Sequence, residues 1–439
     1  MFRKYKHILR ALRHRNFRLF FLGQGISLIG TWMQTVTMGW LVFRLTHSTA
    51  LLGIVGFADK IPIFALTSSA GVLVDRYNKF KILVVTQILS MIQASLLAYL
   101  VLSGKIQVWH IIVLAAFLGT VNSIDIPARQ SFILEMIEDK EDLGNAIALN
   151  SSIFNGARLV GPSIGGILIA LVGEGYCFLI NALSFIAVIA ALLSMNILAK
   201  PRKSGHAHPL VELKEGFSYA FGFAPTRNIL LLICLFSLTA MPFVVLLPAF
   251  AKNILAGGPN TFGFLMASTG AGALLGAIYL ASRKSVLGLG RWIVVASTLF
   301  SLTLIALSFT SSIWLSMALM PLAGFGMMVH MASSNTILQT VTDDDKRGRV
   351  IGIFVTSMTG MAPFGSLIAG ALASRLGIPW EIRLGGIVCL AGSMLFASKL
   401  DDIRKLIHPI YTELGILKDP ETIRDSIELA AKIETMEES

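Results

Sequence analysis

The chain has 439 residues, of which 55% are apolar and only 14% charged, and its mean hydropathy is +0.74. Soluble domains carry about a quarter charged residues, so an ordinary soluble protein is excluded, and disorder with it. A net charge of +11 would suggest nucleic acid in a soluble chain. Here the basic residues sit in connections between apolar runs, the pattern of cytoplasmic membrane loops, and no nucleic-acid partner is expected. Cys177, Cys234 and Cys389 are too few and too scattered for a disulfide scaffold.

The chain opens on MFRKYKHILRALRHRNFR. The apolar run behind this basic stretch is too long for a signal peptide, and no A-x-A-like site follows. It reads as a cytoplasmic amphipathic lead-in, either touching anionic lipid or serving only as a topology signal. Twelve apolar segments follow, at about 17–43, 50–74, 80–102, 108–127, 145–172, 176–198, 229–255, 260–281, 291–310, 313–338, 348–376 and 380–398. Each is near the roughly 20 residues that a spanning helix needs. One alternate set of connections is rich in Lys and Arg (Arg76, Lys79, Lys81, Lys200, Arg202, Arg283, Lys346, Arg347), while the other holds little beyond Lys105, Lys252, Arg375 and Arg383. Both termini are therefore expected in the cytoplasm.

The expected organisation is all-α: a six-helix bundle over 1–200, a cytoplasmic loop over 201–228 with a surface helix near 211–222, a second six-helix bundle over 229–400, and a tail over 401–439. The Asp419–Pro420 start and the acidic first turn after it predict a helix in the tail. That helix is either solvated or a docking site for a soluble partner. Segment 129–173 aligns without gaps onto 333–377, with Gly144, Gly156, Gly161, Gly166 and Gly173 falling on Gly348, Gly360, Gly365, Gly370 and Gly377, and Asp139 on Asp343. A duplicated six-span unit puts a substrate path between the halves, near the midplane.

After span two the chain reads Gly71-Val-Leu-Val-Asp75-Arg76-Tyr-Asn-Lys79-Phe-Lys81. This resembles the signature loop of the major facilitator superfamily, G-x-x-x-D-R-x-G-R-R/K. The resemblance implies a gating latch: Gly71 lets a neighbouring helix approach, Asp75 faces a helix N-terminus, and Arg76, Lys79 and Lys81 stay at the headgroups. Asn78 replaces the usual glycine, and Asn tolerates a left-handed turn. Asp125 and Arg129, one turn apart at the cytoplasmic end of span four, are expected to join the latch. Span five carries Gly156, Gly161, Pro162, Gly165 and Gly166. Gly161 and Gly165 permit close helix packing, and Pro162 permits a bend. The run resembles the glycine–proline motif of proton-coupled exporters, although plain small-residue packing reads the same. Together with Trp32-Met-Gln34, Asp125-Ile-Pro127-Ala-Arg129, Asn145 to Asn150, Phe154-Asn155, Arg158 and Asn181-Ala-Leu-Ser184-Phe185, it looks like the facilitator branch that contains the bacterial enterobactin exporter and the macrolide efflux pumps. The resemblance implies a bacterial inner-membrane secondary exporter of the facilitator fold.

Ionisable groups inside spans are functional suspects by default. Arg158 lies about thirteen residues into span five, or roughly 20 Å along its axis. With Asn155 on the same face, it either holds an anionic substrate group, pairs with a proton-exchanging carboxylate, or forms a structural ion pair. Asp59, followed by Lys60, is a candidate coupling site, an outer-gate residue or part of a structural pair. His330, beside Met327, Met328 and Met331, reads as a core residue or a proton carrier, and no metal is expected. Gln34, Asn150 and Asn181 either line an aqueous path or bond across helices. No phosphate loop or zinc motif occurs, so no enzyme is expected. The function expected is proton-coupled export of an amphipathic drug or siderophore by a monomer in the bilayer, with the proton gradient as energy source and no cofactor. An importer or a lipid flippase on the same fold is the alternative.

Overall fold

The computed structural model describes residues 9–137, 139–196, 217–283, 285–343 and 346–417. The twelve helices long and apolar enough to cross a membrane among these residues are α1 (Arg15–Thr46), α2 (Thr49–Arg76), α3 (Lys79–Leu102), α4 (Val108–Met136), α5 (Leu143–Val172), α6 (Glu174–Leu193), α7 (Ala224–Ile254), α8 (Pro259–Ala281), α9 (Leu289–Leu307), α10 (Ile313–Val341), α11 (Arg347–Leu376) and α12 (Ile378–Ser398). A short α13 (Leu400–Glu413) follows, burying Ile403, Ile407 and Tyr411 against the second half and leaving its charges exposed. No strand occurs among the described residues. The chain is thus an all-helical membrane protein of two six-helix halves. Most of the predicted 201–228 loop and the predicted helix after Pro420 lie outside the described residues, although 217–222 is helical.

Twelve alternating spans put residues 9 and 417 on one face, termed the terminal face. At the opposite face Gly173 alone joins α5 to α6, and Gly377 alone joins α11 to α12. Both sit at positive φ (85° and 90°), where only glycine is free of strain. These two residues match in the internal repeat, and so do Gly166 and Gly370, which hold the halves together. A Cβ on Gly166 would lie 3.0 Å from Gly263 Cα and 2.8 Å from Pro259 O of α8; one on Gly370 would lie 2.8 Å from Gly53 Cα and 2.7 Å from Thr49 O of α2. Two seams therefore join the halves, α5 on α8 and α2 on α11. Without a hydrophobic drive between helices in lipid, close backbone packing of small residues supplies such association.

Both seams end at mid-depth. The first reaches Gly270, whose Cβ would meet the backbone of Arg158 and Leu159; the second reaches Gly360, whose Cβ would meet the Phe64 ring. Toward the terminal face, Gly71, Gly144, Gly156, Gly348 and Gly352 have nothing within 4 Å of a built Cβ. The halves form a V that is closed at the opposite face and open at the terminal face.

The segment before α1 docks on the connection between α4 and α5. Arg10, Arg13 (2.8 Å) and His14 Nε2 (2.9 Å) converge on the buried Asp142 carboxylate, and the Ala11 amide donates to Asn145 Oδ1 (2.9 Å). Burial alone would raise the Asp142 pKa, but the His14 hydrogen bond and the arginine charges outweigh it and hold the carboxyl below its usual range. The repeat copies this docking: the Asp343 amide donates to Tyr219 Oη (3.4 Å) ahead of α7, and the Lys346 ammonium lies 4.6 Å from the Tyr219 ring centre.

Gly166→Leu wedges the closed seam apart. Spin labels on Ile147 of α5 and Ile278 of α8, both exposed toward the terminal face, should move closer in this variant when read by pulsed dipolar spectroscopy. An unchanged distance distribution would show that the seam does not set the state. A carboxyl with a lowered folded pKa adds stability that is complete above its ordinary value near 3.9 and is lost as pH falls through the folded value. The arm over 9–14 should therefore stay protected from hydrogen exchange at pH 5 to 8 and be released only by stronger acid, whereas Asp142→Asn should release it about tenfold at pH 7.

Candidate functional site in the cleft between the halves

The small residues of α5 that build the seam also aim Arg158. Gly161 and Gly165 pack on Trp32 and Met33 of α1, while Pro162 and Gly166 pack on Gly263 of α8. At 100° per residue Arg158 falls between these two stripes, so it points into the angle between α1 and α8 at the fork of the V. It stands 15 residues along the 30-residue helix Leu143–Val172, which is its midpoint. Its guanidinium carbon lies 5.7 Å from the Trp32 ring centre, and Phe154 meets the same indole edge-on at 5.7 Å. Among the described residues no carboxylate lies within 4.0 Å of it. Asn155 bonds locally instead, donating to Ser151 O (2.9 Å). Asn150 is half-buried one turn further toward the terminal face.

A second cation faces the other seam. Gly53, Phe57 and Phe64 of α2 form the stripe that meets α11, and the Phe57 and Phe64 rings flank Phe364 at 6.1 and 6.0 Å. Lys60 lies on that stripe, three residues past Phe57. Its ammonium pairs with Asp59 at 3.3 Å, so the adjacent pair meets although neighbouring helical positions diverge by 100°. The sequence reading favoured Asp59 for coupling and left open which of Asp59 and Lys60 faces the cavity; the 53-57-60-64 spacing puts Lys60 on the seam stripe. It passed over Glu381, buried in the first turn of α12 with Oε2 unpartnered.

Other expected site residues lie inside the first half, away from the cleft. Asn181 Nδ2 donates to Gln34 Oε1 (2.7 Å), Gln34 Nε2 to Gln93 Oε1 (3.0 Å) and Gln93 Nε2 to Leu114 O (3.2 Å). Gln34 and Asn181 thus bond across α1, α3 and α6. The two residues also line, with Gln24, Ser90, Asn122 and Asp125, a cavity of about 40 Å³, which has room for water but not for an organic solute. Asp125 is 2% exposed, pairs with Arg129, and accepts from Thr86 Oγ1 and Gln87 Nε2, both at 2.8 Å. This ties α4 to α3 within one half. Lys79 does likewise, pairing with Glu135 at 2.8 Å. Arg76 and Lys81 are exposed, and the Asp75 side chain lies outside the described residues. Asn78 is not left-handed as expected: its backbone is extended (φ −68°), and its side chain caps α3 by accepting from the Lys81 amide (3.2 Å). His330 is buried in the second half with both ring nitrogens unpartnered and its ring 4.6 Å from Phe236. Pro162 sits in an unbroken α5, whereas α11 is interrupted at Met361. His14, Asp139 and Asp142 lie close enough to hold a metal, but Arg13 already bridges both acids at 2.6 and 2.8 Å.

Residues 8–406 match the family described as "Transmembrane secretion effector". The chain belongs to this family. It is 26% identical over 382 residues to the staphyloferrin A transporter of Staphylococcus aureus, covering 86% of this chain and 95% of that one. It is 27% identical over 395 residues to the enterobactin exporter EntS of Shigella boydii (89% and 93% covered), and 24% identical over 357 residues to the multidrug efflux pump Tap of Mycolicibacterium fortuitum (80% and 87%). In fold it resembles a bacterial homologue of the iron transporter ferroportin in an inward-facing state (TM-score 0.64, 18% identity, 89% and 98% covered). It also resembles a bacterial homologue of the lysosomal transporter Spinster, inward-facing and unoccupied (TM-score 0.65, 13% identity, 93% and 99% covered). This secretion effector is a multi-pass membrane protein and a secondary transporter of the major facilitator kind, not an enzyme.

Asp125→Ala would leave Arg129, Thr86 and Gln87 without their shared acceptor in a buried setting. The variant should lose about 3 kcal/mol of stability, read as a lower unfolding temperature in detergent. An unchanged temperature would show that this network is not part of the framework.

Proposed function

We propose that this protein is a proton-driven exporter that carries an amphipathic organic solute, of the drug or siderophore kind, across a bacterial inner membrane by alternating access. The observation that supports this most is the V-shaped cleft, open at one face and closing at mid-depth on Arg158, Trp32 and Phe154. An aromatic wall with one cation suits a solute that is part apolar and part polar. The terminal face, where Lys and Arg gather, is the cytoplasmic face on this reading, so the cleft loads from the cytoplasm. The relatives named for staphyloferrin A, enterobactin and drugs supply the class of cargo. In transport the two halves rock, the glycine seams part, and the terminal halves of α5 and α8 and of α2 and α11 meet. Asp59 beside Lys60 is the coupling carboxylate: taking a proton releases Lys60 and alters the charge on the α2 seam.

Everted membrane vesicles energised to pump protons inward should accumulate at least one amphipathic dye, drug or siderophore from a panel of anionic and cationic probes in a protein-dependent way, and a protonophore should abolish the accumulation. Arg158→Ala should cut it at least tenfold with membrane insertion intact, and Asp59→Asn should flatten its pH dependence. Uptake only in right-side-out vesicles would make the protein an importer. Movement of lipid alone would make it a flippase.

A further inference from the structure

We infer that the solute carries a carboxylate head which Arg158 binds, and that the cleft closes over this ion pair rather than over a bare guanidinium. The inference rests on the cleft being the transport path and specifies what that path accepts. Among the described residues Arg158 has no acid within 4.0 Å and no hydrogen-bond partner, and its side chain is only partly covered at the fork of the cleft. It stands where the α5–α8 seam begins. Closing the terminal face extends that seam downward and removes the water. An isolated charge is costly in such a setting unless paired, and the planar guanidinium fork matches a carboxylate with two parallel hydrogen bonds. Trp32 and Phe154, in contact edge to face, offer an aromatic surface beside the fork for the body attached to that head. Lys60 on the α2 seam, held by Asp59 at 3.3 Å, adds a second positive group that a further carboxylate could reach once Asp59 is protonated. A soluble cargo with one or more carboxylates fits this arrangement, while a cationic one gains nothing from Arg158.

Carboxyfluorescein and rhodamine 123 share a xanthene body, but the first carries free carboxylates and the second is an esterified cation. Binding to the full-length protein in phosphatidylcholine nanodiscs, measured by fluorescence anisotropy, should be saturable for carboxyfluorescein. It should weaken at least tenfold in Arg158→Gln, and by less than that in Arg158→Lys. Rhodamine 123 binding should be equal or tighter in Arg158→Gln, which also shows that the variant is folded. Absence of saturable carboxyfluorescein binding to the wild type, or equal loss of both dyes in Arg158→Gln, overturns the inference. So does displacement of the dye when phosphatidylglycerol is added to the nanodisc, which would assign Arg158 to a lipid phosphate. Carboxyfluorescein binding without energised transport would instead remove the exporter reading and leave the anion site standing. Rhodamine 123 transport without carboxyfluorescein binding would do the reverse.

Discussion

The architecture depends on how closely two pairs of helix backbones approach at the face opposite the termini. Gly166 against Gly263 and Gly370 against Gly53 are contacts in which any side chain would strike backbone. In lipid these seams gain little from apolar burial, since lipid tails are as apolar as leucine. Their strength comes from dense packing over a limited length. Such an interface is stable and yet separable, which is what a transporter that rocks requires. The depth at which the seams fork also decides which residues meet the solute: Arg158 and Phe64 stand at the two forks because packing stops there.

The first half is stitched internally by buried polar groups that bond one another across helices. Gln34, Gln93 and Asn181 form one buried chain, and Asp125 with Arg129, Thr86 and Gln87 forms another. Filled polar networks rigidify the structure around them. That leaves the cleft wall of this half with only a few groups free to act on a solute, chiefly Arg158 and the Asp59–Lys60 pair. The second half is joined differently among the described residues: Ser237 Oγ donates to Met358 O, Thr239 Oγ1 meets Cys389 Sγ (3.2 Å) and Arg383 Nε donates to Ser308 Oγ (3.2 Å), while His330, Ser316, Ser333 and Ser334 are buried with unpartnered polar atoms. The two halves therefore share a fold while differing in how their buried polar groups are paired.

The spans and the duplication were legible in the sequence because both rest on one-dimensional signals, apolar length and a fixed glycine spacing. The matched glycines proved to share duties: Gly173 and Gly377 both turn the chain at positive φ, and Gly166 and Gly370 both carry seams. The site was only partly legible. A polar residue in an apolar helix faces either its own bundle or the partner half, and periodicity alone does not say which. Gln34 and Asn181 turned inward, whereas Arg158 turned to the cleft. Which of Asp59 and Lys60 faces the partner half was open in the sequence, although the 53-57-60-64 spacing puts Lys60 on the stripe with Phe57 and Phe64. Asn78 needed cap geometry to be understood, because its side chain replaces a turn by a hydrogen bond.

The placement of helix breaks completes the asymmetry. Pro162 lies where α5 is gripped by α1 and α8, so the neighbours hold the helix continuous despite the lost hydrogen bond. In α11 the interruption at Met361 falls directly after Gly360, where the seam with α2 gives way. The second half has another break, over Ala240 to Pro242 in α7, and Gly365 of α11 packs on Leu238 and Pro242 beside it. The two breaks are thus adjacent, at mid-depth, in the second half. A bend at Met361 would swing the terminal half of α11 toward α2 without disturbing the Gly370–Gly53 contact above it. Closure of the cleft can then combine rocking of the two halves with bending of α11, and the bend is located at the level of Arg158 and Lys60, where a bound solute would be felt.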